Sequence, residues 1–462
     1  MAFVHFYLTG GGTGASDLNA GSTAGAVAYT SVNGNWNSAT NTFTPTDGST
    51  PANSVAAGDY VSVYLDAATV TTFVAKVASV AAGVNGAIVV DATIFYGTAP
   101  STGATGRSLK AGGQWSTEQV LAAGGLGTTT VPQSTKVNIK AATYTITASR
   151  TVSMAGATTT PLWFSGYNTT PGDLDADTTN SLTKPLLAFD AGFRFTTSGN
   201  HQTWSSFTAT ANVSNAVWTT NGTHTYLLRC RVTNTSTNAA AYAGNFGGSN
   251  NAALYCYFKA PTSGTTNGVV VLNNATAIIT GCVCEGGGKA GLDIAGAATT
   301  VSDCVLLNNT GAGILDAGGN PRILHCTISN ATVDGIKLTA TPGAGTCIVG
   351  CLFRVCGGIG INNASGTNTN LVHRSTNDFY SCTGGSESGF GDSVAFFGQT
   401  DSTDPVISAS DLTLVGGVNA RQNGFPGIVE NETFSSFQDI GAVQGIRPSA
   451  ARAVIIQNIG TY

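Results

Sequence analysis

Apolar positions in the middle of the chain fall into a short repeated phrase, each copy centred on a cysteine. The copies read Leu227-Leu-Arg-Cys230-Arg-Val, Ala253-Leu-Tyr-Cys256-Tyr-Phe, Ile279-Thr-Gly-Cys282-Val-Cys284, Val301-Ser-Asp-Cys304-Val-Leu, Ile323-Leu-His-Cys326-Thr-Ile and Ile348-Val-Gly-Cys351-Leu-Phe, recurring every 22 to 26 residues. In four successive units a glycine stands nine residues beyond the cysteine (Gly291, Gly313, Gly335, Gly360), followed by Leu292, Ile314, Ile336 and Ile361. A period of this length marks stacked units that build a core only by piling up. Each unit is too short for a helical hairpin and too rich in Val, Ile, Thr, Gly and Asn for helix, so it predicts two or three short strands joined by tight turns. Stacked at ~4.8 Å, the coils place the cysteines in a buried internal ladder, with Val232, Phe258, Cys284, Leu306, Ile328 and Phe353 forming a second ladder two residues on. Asn308 and Asn330, four residues past the cysteine, fall where a coil must turn through left-handed backbone.

Other patterns flank the repeat. Residues 1–112 read as a separate β-rich domain for attachment or assembly, with a short opening strand and three clear strands at 59–65, 73–80 and 87–96 whose alternation suits a small antiparallel barrel. Residues 113–127 follow as a capping helix, with Ser116 and Gln119 in a capping box and Gly124-Gly125 as its stop. The solenoid spans residues 128–445, broadened early by polar insertions at 168–184 and 233–253, where a rigid scaffold keeps its contacts. Phe437–Val443 reads as a closing strand, and residues 446–462 as a tail that pairs with a neighbouring chain or caps its own helix.

The phrases Cys304-Val-Leu-Leu-Asn308-Asn-Thr-Gly-Ala-Gly313-Ile and Cys326-Thr-Ile-Ser-Asn330-Ala-Thr-Val-Asp-Gly335-Ile resemble the right-handed parallel β-helix superfamily, the pectate-lyase-like fold also used by phage tailspikes. Lys136–Ile146 followed by Pro161–Tyr167 resembles the first coils of such proteins, and the resemblance covers about residues 115–445. The expected fold is therefore all-β: a right-handed parallel β-helix preceded by a small antiparallel β domain and a short capping helix. A fold of this kind is nearly mute on function.

Composition narrows the function classes. At 462 residues and 42% hydrophobic content the chain has ample material for a core, yet only 9% of residues are charged, against about 25% in an ordinary soluble domain. With 19 basic and 24 acidic residues and no dense basic run, nothing predicts nucleic-acid binding. The amino terminus has no basic region followed by an apolar run, and no stretch reaches the roughly 20 apolar residues of a membrane span, so assembly in a cytoplasm is expected. The ten cysteines cluster at repeat positions, which predicts reduced core thiols rather than disulfides. Their spacing predicts no metal site, and no cofactor is expected.

Candidate chemistry is sparse. A β-helix hydrolase needs two outward carboxylates about 5 to 9.5 Å apart, and a pectate-lyase-like site needs an acidic calcium cluster beside a basic residue. The chain has only five glutamates, at 118, 285, 387, 430 and 432. Arg229, Arg231, Tyr255, Tyr257, Lys259, Glu285, Asp303, His325 and Arg354 form an outward polar stripe beside the cysteines. Glu285 and Asp303 fall ~14 Å apart by strand arithmetic, too far for either geometry. Asp303 and His325 stack one coil apart as a surface pair. Asp293 and Asp316, near the ends of successive strands, are the best acid pair available, placed to face one another across a turn, although turn aspartates commonly bind their own backbone. Asp173, Asp175 and Asp177 alternate like a calcium loop but lack its glycine and distal glutamate. His5, His201, His224 and His373 share no ligand spacing.

By resemblance to phage appendage proteins, the chain is expected to be a non-enzymatic structural protein of a tailed bacteriophage virion, a capsid decoration or a tail appendage or fibre. Its amino-terminal domain would hold other virion proteins, and the chain would self-associate, by analogy as a homotrimer. A host surface glycan is a further expected partner. Two alternatives stand beside this reading: a tailspike depolymerase acting on host polysaccharide, and a bacterial surface adhesin.

Overall fold

The computed structural model describes residues 4–8, 27–64, 72–97, 105–112, 135–153, 155–159, 161–176, 182–263, 266–274, 276–343, 345–367, 372–390, 399–400 and 404. The expected capping helix at 113–127, the closing strand at 437–443 and the tail at 446–462 lie outside these residues. The chain divides into two compact units, one of residues 1–211 and 220–230, the other of residues 212–219 and 231–462.

In the first unit, seven antiparallel strands form one sheet in the order Val27–Ser31, Ser108–Gly112, Tyr60–Tyr64, Thr72–Val80, Ile88–Gly97, Thr42–Pro45, Gly34–Asn37. Three of them fall within one residue of the strands expected from alternation. One face packs Trp36, Phe43, Val61, Val63, Val77, Ile88, Val90 and Leu109 into a buried core. The sheet curls, because the Arg107 N–H donates to Gly34 O at 2.9 Å and so brings a strand near one end to the strand at the other.

The same unit holds the first coils of a parallel β-helix. Val4–Leu8 does not join the antiparallel sheet, as a boundary at residue 112 had implied; it pairs in parallel with Thr135–Lys140, Val4 opposite Thr135 and Leu8 opposite Ile139. The physical reason is the open edge of a first coil, which needs a strand to satisfy its backbone groups. Leu162–Tyr167, Gln202–Ser205 and Thr225–Leu228 continue that sheet. The interior here is aromatic: Phe164 stacks on Trp204 at 3.9 Å, and Phe195 meets the same indole edge-on at 5.0 Å.

In the second unit each coil contributes one strand to each of three parallel sheets. The first sheet runs from Ala252–Leu254 through Ile278–Thr280, Thr300–Ser302, Arg322–Leu324 and Cys347–Val349 to His373–Ser375. The second runs from Arg231–Asn234 through Tyr257–Ala260, Val283–Gly286, Val305–Leu307, Thr327–Ser329 and Leu352–Arg354 to Asp378–Tyr380 and Gln399–Thr400. The third carries Tyr242–Phe246, Gly268–Leu272, Ala290–Ile294, Ala312–Asp316, Ile336–Leu338, Ile361–Asn363 and Glu387–Ser388.

The cysteines occupy the corner between the first and second sheets. The residue before each is left-handed: Tyr255, Gly281, Asp303, His325 and Gly350 have φ of 56°, 63°, 54°, 50° and 64°. That kink turns the chain inward, and Cys256, Cys282, Cys304, Cys326 and Cys351 are all at most 2% exposed. Each thiol donates to the carbonyl two residues earlier, as Cys304 does to Ser302 O at 3.2 Å and Cys326 to Leu324 O at 3.3 Å. A small apolar side chain with one weak donor suits such a corner. One coil later the position is Asn377, whose Nδ2 donates to Ile348 O and whose Oδ1 accepts the Cys351 N–H, both at 3.0 Å. All ten cysteines are free thiols.

The glycine register has a steric cause. A Cβ on Gly291 would lie 2.8 Å from Leu306 Cδ2, one on Gly335 2.9 Å from Phe353 Cε1, and one on Gly360 2.5 Å from Phe379 Cδ1. The second sheet's inward ladder therefore packs directly on third-sheet backbone. Asn308 and Asn330 turn with φ of 54° and 59°, and Asn330 Nδ2 donates to Asn308 Oδ1 at 3.1 Å.

Candidate functional site

Of the outward stripe beside the cysteines, Arg354 stands apart, donating from Nε and Nη2 to Asp404 at 2.8 and 2.6 Å, and the other residues divide in two. Tyr255, Asp303 and His325 are the left-handed corner residues themselves, and they use their side chains to cover the corner: a Cβ on Gly281 would strike the Tyr255 ring at 2.6 Å, and one on Gly350 the His325 ring at 2.5 Å. Asp303 and His325 do stack, with Oδ1 and Nδ1 3.8 Å apart, too far for a hydrogen bond. Arg229, the corner residue of the first unit, instead donates from Nη1 to Asp175 O at 2.6 Å.

Arg231, Tyr257, Lys259 and Glu285 form the second part, on the outer face of the second sheet. Backbone register sets the cluster, since Arg231 pairs with Tyr257 and Lys259 with Glu285 in adjacent strands. The Arg231 guanidinium lies over the Tyr257 ring, 4.4 Å from its centroid. The Tyr257 hydroxyl donates to Glu285 Oε2, and Lys259 Nζ donates to Glu285 Oε1 at 2.7 Å. The side chains of Lys259 and Glu285 remain 45% and 25% exposed, so the cluster faces solvent. Sequence reading named all four residues but not their coupling; counting one and three residues past each cysteine would have found it.

Hydrogen bonding within the cluster fixes its protonation states. Burial would raise the Glu285 carboxyl, but the hydrogen bonds from Lys259 and Tyr257 outweigh it and hold the group below the usual carboxylate range. Burial, followed by the bond to Glu285, pushes the Tyr257 phenol up to about 12. The carboxylate thus stays ionised and the phenol protonated across neutral pH. A general acid needs a raised carboxyl and a phenolic base a lowered hydroxyl. What remains is a flat ring flanked by a cation, a carboxylate and a guanidinium, a surface suited to hydrogen-bonding and stacking with a polyhydroxylated ligand.

Asp293 and Asp316 do not face one another. Asp316 pairs with Ile294 and Leu338, and Asp293 with Val271 and Leu315, so the two side chains point to opposite faces of the third sheet. Asp293 is held on the outer face by Lys289 Nζ at 2.6 Å. Asp316 is fully buried in an inward apolar column, where its Oδ1 accepts the Gly318 N–H at 3.3 Å and its Oδ2 has no protein partner. Burial raises this carboxyl to about 6, against the Gly318 and Gly319 N–H groups that lower it. One residue of offset in strands of period two separates the pair, a consequence that register alone decides.

The acidic insertion serves its own loop. Asp173 accepts the N–H groups of Asn168, Thr169 and Thr170 at 2.8, 2.7 and 3.0 Å. Asp175 instead lies 3.7 Å from Lys136 and 3.9 Å from Arg229; Asp177 is outside the described residues. His201 and His224, 23 residues apart, are one coil apart and stack at 4.6 Å, a pairing that ligand spacing did not anticipate. His373 makes a 3.3 Å contact with Ser375 Oγ, and the His5 side chain is outside the described residues. Among the described residues no group of three or more His, Cys, Asp or Glu is gathered for a metal ion, and no helix is long and apolar enough to cross a membrane.

Comparison with known proteins agrees with this architecture. The family described as "Right handed beta helix region" matches residues 262–395, and the fold is the right-handed parallel β-helix. No curated protein sequence matches the chain. Among solved structures, pectate lyase Pel9A is similar at 14% identity over 72% of this chain and 91% of that one, with a TM-score of 0.45. ORF18 of Geobacillus virus E2 is similar at 12% identity over 58% of this chain and 54% of that one, with a TM-score of 0.38, so the chain spans about half of that protein. The tailspike protein gp49 from Pseudomonas phage LKA1 is similar at 12% identity over 86% of this chain and 66% of that one, with a TM-score of 0.28.

Proposed function

We propose that this chain is a non-enzymatic structural protein of a tailed-phage particle, a capsid decoration or tail appendage whose β-helical body contacts host surface glycans without cleaving them. One observation supports the non-enzymatic part: in the cluster of Arg231, Tyr257, Lys259 and Glu285 the single carboxylate is taken up by the Tyr257 hydroxyl and the Lys259 ammonium, and no second carboxylate stands opposite it in the cluster. The acid pair that could have served instead is divided between two faces of a sheet. Glycan contact is supported by the half-buried tyrosine ring with donors and an acceptor at its rim, the side-chain set that sugar hydroxyls and ring faces meet.

Attachment to a particle is supported by the plan of the chain, an antiparallel module ahead of parallel coils, which resembles phage appendage proteins. In this reading the module holds other virion proteins, and the chain assembles as a homotrimer. Particles purified from the phage that encodes the chain should contain it in stoichiometric amount, and light scattering of the isolated protein should give three times the chain mass of 46.5 kDa. Particles lacking the chain altogether would remove the virion assignment.

A further inference from the structure

Cys356 and Cys382 are among the cysteines that stand apart from the internal ladder. Cys356 follows Cys351 by five residues, and Cys382 follows Asn377 by five, so the two hold the same place in successive coils. Both come directly after a left-handed residue, Val355 with φ 56° and Ser381 with φ 54°. Backbone bonds lock the coils on either side of the pair: the Val355 N–H donates to Tyr380 O at 2.8 Å, and the Thr383 N–H donates to Cys356 O at 2.9 Å. Residues stacked in this way have Cα atoms ~4.8 Å apart, inside the window of about 4.4 to 6.8 Å that a disulfide spans.

The surroundings distinguish the two sulfurs. Cys356 is 1% exposed, whereas Cys382 is only half-buried. The two thiols interact across the coils, and that interaction together with burial pushes the Cys356 thiol up, which leaves Cys382 as the sulfur that solvent can reach. By contrast, burial pushes Cys304, Cys326 and Cys351 well above an ordinary thiol, and all three are closed to solvent. A solvent-reachable cysteine stacked beside a buried one is the arrangement of an attacking and a resolving cysteine.

We propose that Cys356 and Cys382 form a reactive dithiol that closes into a disulfide between adjacent coils when the protein meets a low-molecular-weight disulfide. The Cys382 thiolate attacks one sulfur of the small disulfide, forming a mixed disulfide and releasing one small thiol. Cys356 then loses its proton and its sulfur attacks Cys382, which forms the Cys356–Cys382 bond and releases the second small thiol. The protein dithiol is oxidised by two electrons and the small disulfide is reduced by the same two. The bond closes a loop of 26 residues, from position 356 to position 382, and fastens one coil to the next.

Peptide mapping tests this on the full chain, treated with glutathione disulfide, denatured, alkylated and digested without reductant. The expected result is a linked pair of peptides containing Cys356 and Cys382, abolished by dithiothreitol, while Cys304 and Cys326 are recovered alkylated and unlinked. In Cys356→Ser a glutathione adduct should persist on Cys382, at a level at least ~10-fold above that in the unaltered chain. Recovery of Cys356 and Cys382 as separately alkylated peptides, or an equal and lasting adduct on Cys382 with and without Cys356, would overturn the proposal. The mapping of the unaltered chain decides the matter even if the serine variant does not fold.

Discussion

Arg374 and Glu387 end the apolar interior of the described coils by meeting inside it. Arg374 pairs with Ile348 and so continues the inward column of the first sheet, and Glu387 pairs with Ile361 and continues that of the third. Arg374 Nε lies 3.0 Å from Glu387 Oε2, and the guanidinium sits 3.7 Å from the centroid of the Phe390 ring. Their side chains are only 6% and 14% exposed, so the pair is a buried ionic plug where an apolar rung would otherwise follow.

Breaking this pair from one side should be costly, because it strands a buried charge. Glu387→Ala is expected to lower unfolding free energy by about 3–5 kcal/mol, whereas Arg374→Met with Glu387→Met should recover most of that loss. Urea unfolding of Arg374→Met, Glu387→Met and the double variant measures both the cost and the coupling. Additive single effects would contradict a direct pair.

Gly335→Ala places a methyl group against the Phe353 ring and Gly360 O in a packed corner. The expected cost is about 1–3 kcal/mol by urea unfolding, with Phe353→Leu restoring part of it. An alanine as stable as the glycine would mean that the second-sheet ladder does not rest on this backbone.

Asp316 sets a pH dependence of its own. Its folded-state value of about 6 lies above the ordinary 3.8, so the folded protein binds the proton more tightly than the unfolded chain. The contribution is fully present below the unfolded value and is lost as pH rises through about 6. Asp316→Asn should therefore gain on the order of 1–3 kcal/mol over the unaltered chain at pH 7, and the gain should vanish near pH 3. Chemical denaturation of both proteins across this range gives the difference directly. A gain independent of pH would place the carboxyl outside the core.

The coils were legible because their marks are steric and repeat. The glycine nine residues past the cysteine occupies a place where a larger side chain has no room, the cysteine fills a buried corner after a left-handed residue, and Asn308 and Asn330 each occupy a left-handed turn. The candidate chemistry was less legible. Asp293 and Asp316 look like neighbours in the sequence, but a single residue of register sends them to opposite faces. Val4–Leu8 has no local sign of its partner, since the strand it covers lies more than a hundred residues away. The ion pair of Arg374 and Glu387 was hidden for the same reason: a charged residue in an apolar column reads as a break in the repeat until its partner from another sheet is known.

The claim that the exposed cluster binds glycan without cleaving it is tested most directly by incubating the protein with capsular and lipopolysaccharide glycans of candidate hosts, following both retention and chain length. The predicted result is retention of a glycan at unchanged chain length, weakened at least ~10-fold by Tyr257→Ala, which removes the ring under Arg231. Shortening of the glycan that disappears in Asp293→Asn or Asp316→Asn would contradict it and make the protein a depolymerase.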